Sequence, residues 1–166
     1  MDTNRQKLTE KALGLICLYK AAGLKMVTAE SCTGGLIAAF LTEIPGSSAV
    51  LECGFVTYSN DAKTQSIGVD ASLIEQYGAV SEQVAQAMAV GALQHSMADV
   101  AVSVTGIAGP DGGTPVKPVG LVHFAIVRRG KEPVTRRCVF CDADRSMVRL
   151  LAVNEAFKLL ELILTD

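Results

Sequence analysis

Hydrophobic positions along the chain recur with two different periods, and each change of period marks an element. Leu8, Ala12, Leu15, Ile16 and Tyr19 follow helical spacing, which predicts an amphipathic helix over residues 4–22 that stops at Gly23. Residues 25–29 read as a short strand, and a turn at 30–35 leads into a second helix ending near Pro45-Gly46. A helical turn at Ser47-Ser48 and a strand over 51–58, dense in Val, Phe and Tyr, come next. Residues 59–67 and 71–77 are short helical pieces separated by Gly68. Val84, Met88 and Leu93 share one face of a stronger helix over 81–97, with Ser81 as its N-cap. Residues 99–105 make an apolar strand of the buried kind. The stretches 119–128 and 134–140 pair as a hairpin through Gly130-Lys131, and 142–164 closes the chain as a long helix.

Strands and helices alternate through the first two thirds, and the antiparallel hairpin follows. The order predicts an α/β fold, a three-layer α/β/α sandwich around a mixed sheet, partly parallel and partly antiparallel. A chain of 166 residues is expected to form a single domain over 1–166. A hydrophobic content of 49%, a net charge of −2 and a mean hydropathy of +0.34 exclude disorder. The longest purely apolar run, residues 36–41, falls far short of the roughly 18 residues needed to cross a bilayer, so no membrane partner is expected.

Charge narrows the partners further. Fifteen Lys+Arg against seventeen Asp+Glu give no global field for a polyanion, and the chain has no Trp for base stacking. No nucleic acid is therefore expected. The basic cluster of Arg128, Arg129, Lys131, Arg136 and Arg137 flanks the hairpin and reads as a solvated face. The five cysteines (Cys17, Cys32, Cys53, Cys138 and Cys141) are odd in number and scattered. Residues 1–18 show no cationic segment followed by an apolar core, so the expectation is a cytoplasmic protein with free thiols. Cys138 and Cys141 fall on opposite faces of a strand, and His95 and His123 sit alone in core-like positions. No metal or other cofactor is expected. The apolar run over 159–164 fits either a homodimer or higher homo-oligomer, or a last helix buried on its own sheet.

Chemistry gathers in three loops at predicted strand ends, where ligand sites of open α/β sheets fall. In Thr28-Ala29-Glu30-Ser31-Cys32-Thr33-Gly34-Gly35, a hydroxyl stands at the positive end of a helix. Free N–H groups there would hold a phosphate, or the oxyanion formed when Ser31 attacks a carbonyl. Ser31 or Thr33 as a plain helix cap is the competing reading, and Cys32 is a second candidate nucleophile. In the second loop Tyr58 ends a strand and Lys63 lies one turn into the next helix. A lysine with a depressed pKa serves as a general base there, and an ordinary exposed lysine is the alternative. The third loop runs Thr105-Gly106-Ile107-Ala108-Gly109-Pro110-Asp111-Gly112-Gly113 and lets backbone approach a ligand closely. Arg145, near the start of the last helix, is a candidate for binding phosphate.

Taken together with Gly54-Phe55-Val56-Thr57-Tyr58-Ser59-Asn60, Gly78-Ala79-Val80-Ser81 and Lys117-Pro118-Val119-Gly120, these loops resemble the CinA C-terminal domain family over about residues 6–164. Stand-alone members of that family are nicotinamide-nucleotide amidohydrolases. The resemblance implies hydrolysis of the carboxamide of nicotinamide mononucleotide to nicotinate mononucleotide and ammonia. It implies Ser31 as nucleophile, with Lys63 and Tyr58 as activating partners. Glu30, Cys32, Thr33, Gly34, Ser48, Thr105, Gly106, Gly109 and Arg145 are implied around the substrate, with oxyanion donors among the N–H groups of residues 32–34. A non-catalytic nucleotide-binding or interaction module is the alternative.

Overall fold

The computed structural model describes residues 3–165; Met1, Asp2 and Asp166 of the unit expected over 1–166 lie outside the described residues. The elements run α1 (Thr3–Ala22), β1 (Met26–Glu30), α2 (Leu36–Thr42), a 3-10 turn (Ser47–Ala49), β2 (Leu51–Val56), α3 (Asn60–Ile67) and α4 (Ala71–Tyr77). They continue with α5 (Glu82–Gln94), β3 (Val100–Gly106), β4 (Leu121–Arg128), β5 (Val134–Val139) and α6 (Arg145–Leu162). The five strands form one sheet in the order β2-β1-β3-β4-β5. β1 pairs in parallel with β2 and β3, while β4 is antiparallel to β3 and β5. The α/β class and the mixed sheet are as the alternation predicts.

Strand alternation divides the core in two. Met26, Val100, Val102, Val104, Phe124 and Ile126 face α1, α2 and α6. Val27, Ala29, Ala101, Ala125 and Val127 face the other way, with the buried side of α5. Helices on both faces bury the inner strands: all five residues of β1 are buried, and all of β3 except Gly106. Tyr19 ties the first and last helices by donating its hydroxyl to the Leu160 carbonyl at 2.9 Å. Gly91 of α5 lies so close to α3 that a Cβ there would sit 2.0 Å from the Ile67 carbonyl oxygen.

Caps set the element ends. Ser59, Asp70, Ser81 and Asp144 accept N–H groups of the first turns of α3, α4, α5 and α6. The last helix therefore starts at Arg145 rather than 142, where Asp142 is left-handed with φ 56°. Helix α2 likewise begins only after Gly34 (φ 60°) and Gly35 (φ 99°) have turned the chain. The strand expected over 51–58 stops at Val56, because the chain there turns toward the cap of α3.

Two expectations need correction. His95 is exposed, capping α5 with its ring Nδ1 against the Gly91 carbonyl. Within the basic cluster, Arg129 donates to the Leu93 carbonyl at the C-terminal end of α5, where a cation is favoured, and to the Ala98 carbonyl in the loop beyond it. Arg136 pairs with Glu155, so the face is only partly free. The apolar C-terminal run is largely internal, with Leu159 and Leu160 fully buried. Among the described residues, no helix is long and apolar enough to cross a membrane.

Two glycines in helices should respond in opposite directions to a methyl group. Gly14→Ala adds helix propensity where nothing lies within 4 Å, and should stabilise by about 0.5–1 kcal/mol. Gly91→Ala must push α3 away and should destabilise by about 1–3 kcal/mol. Urea unfolding midpoints measure both. A Gly91→Ala midpoint at or above wild type would contradict the close helix contact.

Candidate active site

The turn after β1 is built around the side chain of Glu30. Its carboxylate is fully buried and enters the start of α2. Oε2 accepts from the Gly35 N–H at 3.1 Å, the Ile37 N–H at 3.0 Å and the Thr33 hydroxyl at 2.7 Å. Oε1 accepts from the Ala38 N–H at 3.0 Å. Four donors at a helix N-terminus replace the hydration that burial removes from this carboxylate. The N–H groups of Gly35, Ile37 and Ala38 at this helix end are thus already taken. Gly34 is engaged as well, donating to the Ser31 carbonyl at 3.0 Å.

Ser31 lies just beyond, at the edge of the sheet. Its N–H donates to the Val104 carbonyl at 3.0 Å, which extends the β1–β3 ladder by one bond and pins the residue in place. Lys63 reaches it from the first turn of α3. Nζ lies 3.0 Å from Ser31 Oγ and 2.7 Å from the Thr57 carbonyl oxygen, with the Tyr58 carbonyl at a marginal 3.5 Å. Lys63 is only 1% exposed. Burial, without a carboxylate against the amine, holds its pKa below the ordinary lysine value. This is not the ordinary exposed lysine of the competing reading.

The neighbouring thiol behaves oppositely. Cys32 is buried in the core on the α2 side, and burial pushes its pKa up to about 12, with Glu30 adding to the effect. A thiol in that state is a poor nucleophile at neutral pH.

Ser31, Cys32 and Lys63 line a cleft of about 270 Å³ together with Tyr58, Thr105, Gly106, Gly109 and Arg145. Thr105 is oriented by donating to the Ala79 carbonyl at 2.8 Å. Ile107 N–H donates to the Leu121 carbonyl, so Gly106 and Val122 form a non-hydrogen-bonded pair and the Gly106 N–H faces the Ser31 side. Arg145 spans the mouth, donating to the Gly109 carbonyl at 2.8 Å and to the Tyr58 hydroxyl at 3.2 Å. Tyr58 is 61% exposed. Its phenol meets Arg145, while only its main-chain carbonyl approaches Lys63.

Eight of the residues implied from sequence therefore converge: Ser31, Cys32, Tyr58, Lys63, Thr105, Gly106, Gly109 and Arg145. Four do not line this cleft. Glu30, Thr33 and Gly34 lie behind the turn, and the Thr33 carbonyl accepts from Arg149 on the α6 side. Ser48 sits on the 3-10 turn before β2, at the opposite end of the strands. Ala79, Val80 and Asp111 also line the cleft; the Gly-Ala-Val-Ser motif ahead of α5 was the signal for the first two. A larger groove of about 510 Å³ between α1 and α6 has an apolar floor of Leu8, Leu150 and Leu151 and no such constellation. Among the described residues, no three His, Cys, Asp or Glu side chains are grouped to hold a metal ion.

Residues 6–164 match the CinA C-terminal domain. The nicotinamide-nucleotide amidohydrolase PncC of Escherichia coli K12 is 54% identical over 141 residues, which is 85% of this chain and 85% of that protein. A CinA-like protein of Mycolicibacterium vanbaalenii is 55% identical over 144 residues, 87% of this chain but 34% of the relative, so the chain spans about a third of that protein's length. The crystal structure of the competence/damage inducible protein CihA from Agrobacterium tumefaciens superposes with a TM-score of 0.92 at 48% identity, covering 96% of each chain. By sequence, by coverage and by fold, this chain belongs to the CinA C-terminal domain family.

Proposed function

We propose that the protein hydrolyses the carboxamide of nicotinamide mononucleotide, a linear amide, to nicotinate mononucleotide and ammonia, with Ser31 as nucleophile and Lys63 as general base. The observation that carries this reading is the 3.0 Å contact between Ser31 Oγ and an amine that is 1% exposed. Relatives named nicotinamide-nucleotide amidohydrolase, similar over 85–90% of this chain, supply the substrate. An amide needs an activated hydroxyl, a stabilised oxyanion and a proton for the departing nitrogen.

Neutral Lys63 takes the Ser31 proton as Oγ attacks the carboxamide carbon. The oxyanion forms against N–H groups at Gly106 and Cys32, since those of Gly34 and Gly35 are committed elsewhere. The Lys63 ammonium then gives its proton to the nitrogen, the C–N bond breaks and ammonia leaves an acyl ester on Ser31. Water attacks that ester, passing a proton through Lys63 back to Ser31 Oγ, and the carboxylate product departs. Tyr58 serves by holding Arg145 across the mouth rather than by relaying the proton.

Three measurements test the scheme. Ser31→Ala and Lys63→Met should each cut ammonia release by about a thousandfold or more while leaving the fold intact. Near-normal release from either would remove that residue from its role, and tight mononucleotide binding without release from wild type would favour a non-catalytic module. The free amine is the working form, so kcat/KM should rise with pH through the lowered Lys63 pKa, with a midpoint below that of an ordinary lysine. That limb should be missing in the residual activity of Lys63→Met; its persistence would assign it to another group. Finally, Tyr58→Phe should keep kcat within about threefold of wild type. A loss on the scale of general acid–base catalysis, about a hundredfold, would put the phenol in the relay.

A further inference from the structure

Past Val80 the cleft continues into a second depression, also of about 270 Å³, to which Lys117, His123 and Arg137 contribute. Sheet register explains the placement. Thr105 is directly opposite His123, and His123 is directly opposite Arg137. Opposed residues of antiparallel strands share a face, and the Thr105 hydrogen bond to Ala79 identifies it as the α5 face. Ser31, Thr105, His123 and Arg137 therefore form a row across the end of the sheet. At about 4.8 Å per strand, His123 stands about 10 Å from Ser31 and Arg137 about 15 Å. A mononucleotide spans a comparable length from its carboxamide to its phosphate, once the reach of an arginine side chain is counted.

The charges suit an anion. Arg137 is exposed and forms no ion pair among the described residues. Lys117 commits one N–H to the Tyr77 carbonyl, at 2.6 Å, and retains two. Glu82 is the acid of the depression, and its Oε1 accepts from the Thr135 hydroxyl. Burial, reinforced by Arg137 and Lys117 and opposed by Glu82, lowers the His123 pKa, so its ring is neutral at pH 7 and able to hydrogen-bond. Arg145, in the cleft itself, is already held by Gly109 and Tyr58 and shares that space with Asp111.

We propose that the depression formed by Lys117, His123 and Arg137 is the subsite for the phosphate of the substrate, with Arg137 its principal ligand, and that its distance from Ser31 selects nucleotides over nucleosides. The inference rests on the mononucleotide reading above, because the length match uses that substrate. A guanidinium offers a phosphate two parallel N–H bonds, which also fixes orientation.

The test is calorimetric binding of nicotinamide mononucleotide and of nicotinamide riboside to Ser31→Ala protein, which holds ligand without turning it over. The mononucleotide should bind at least tenfold more tightly. Adding Arg137→Gln should remove most of that difference without weakening the riboside, and Arg137→Lys should restore part of it. The subsite is overturned if the two ligands bind Ser31→Ala alike, or if Arg137→Gln preserves their ratio or weakens both equally. Loss of the ratio in Arg145→Gln but not in Arg137→Gln also overturns it. Ammonia release by wild type is scored separately. Phosphate-dependent binding without release would sink the amidase reading and leave the subsite, and release with an intact ratio in Arg137→Gln would do the reverse.

Discussion

One buried carboxylate supports the whole site. Glu30 buries its carboxylate completely, and so polar a group is tolerated there only when donors replace its hydration. Three N–H groups at the start of α2 and the Thr33 hydroxyl do so. The same residue's carbonyl accepts from the Thr57 N–H at 2.9 Å, closing the end of β2 against β1. Thr57 in turn offers its carbonyl to Lys63. Ser31 is the next residue in the chain and Lys63 is two hydrogen bonds away through Thr57, so the residue that anchors this turn is tied to both members of the pair.

Three ionisable groups within this small volume have divergent fates. Glu30 receives the helix end. Lys63 receives two oxygen atoms and no carboxylate, so burial favours its neutral amine. Cys32, between them in sequence, is held as a thiol by burial. The three environments leave an anchored carboxylate, a desolvated amine and a core thiol side by side. The same logic explains why the serine, rather than the intrinsically more nucleophilic thiol, faces an amine.

The cleft also lies where the sheet changes character. Strands β1, β2 and β3 end together at one edge, and β4 begins there in the opposite direction. After β1 the chain turns to α2 on one face, and after β2 it turns to α3, which packs with α5 on the other. Loops leaving in opposite directions open a crevice that no side chain of the core fills, as at switch points of α/β sheets generally. The antiparallel pairing that follows carries Thr105, His123 and Arg137 along the same face, so the crevice extends as a row.

Much of this was legible in the chain alone. Periodicity determined the elements and their order, because burying one face of a helix or strand leaves a fixed spacing in the sequence. The motifs determined the family and the short set of polar residues near strand ends. What periodicity cannot carry is the third dimension of those residues. Glu30, Thr33 and Gly34 stand beside Ser31 in sequence, yet a strand reverses its side chains at every step and sends Glu30 away from the cleft. Ser48 lies at the far end of the strands for a similar reason, since a parallel crossover returns the chain to where the strand began. Tyr58 shows the same limit, with its carbonyl toward Lys63 and its phenol toward Arg145. Arg137 read as one cation of a solvated hairpin until strand register put it in line with Ser31. Composition and spacing thus determined which groups the protein has; only tertiary packing decided which are desolvated and which share a face, because both depend on neighbours distant in the chain.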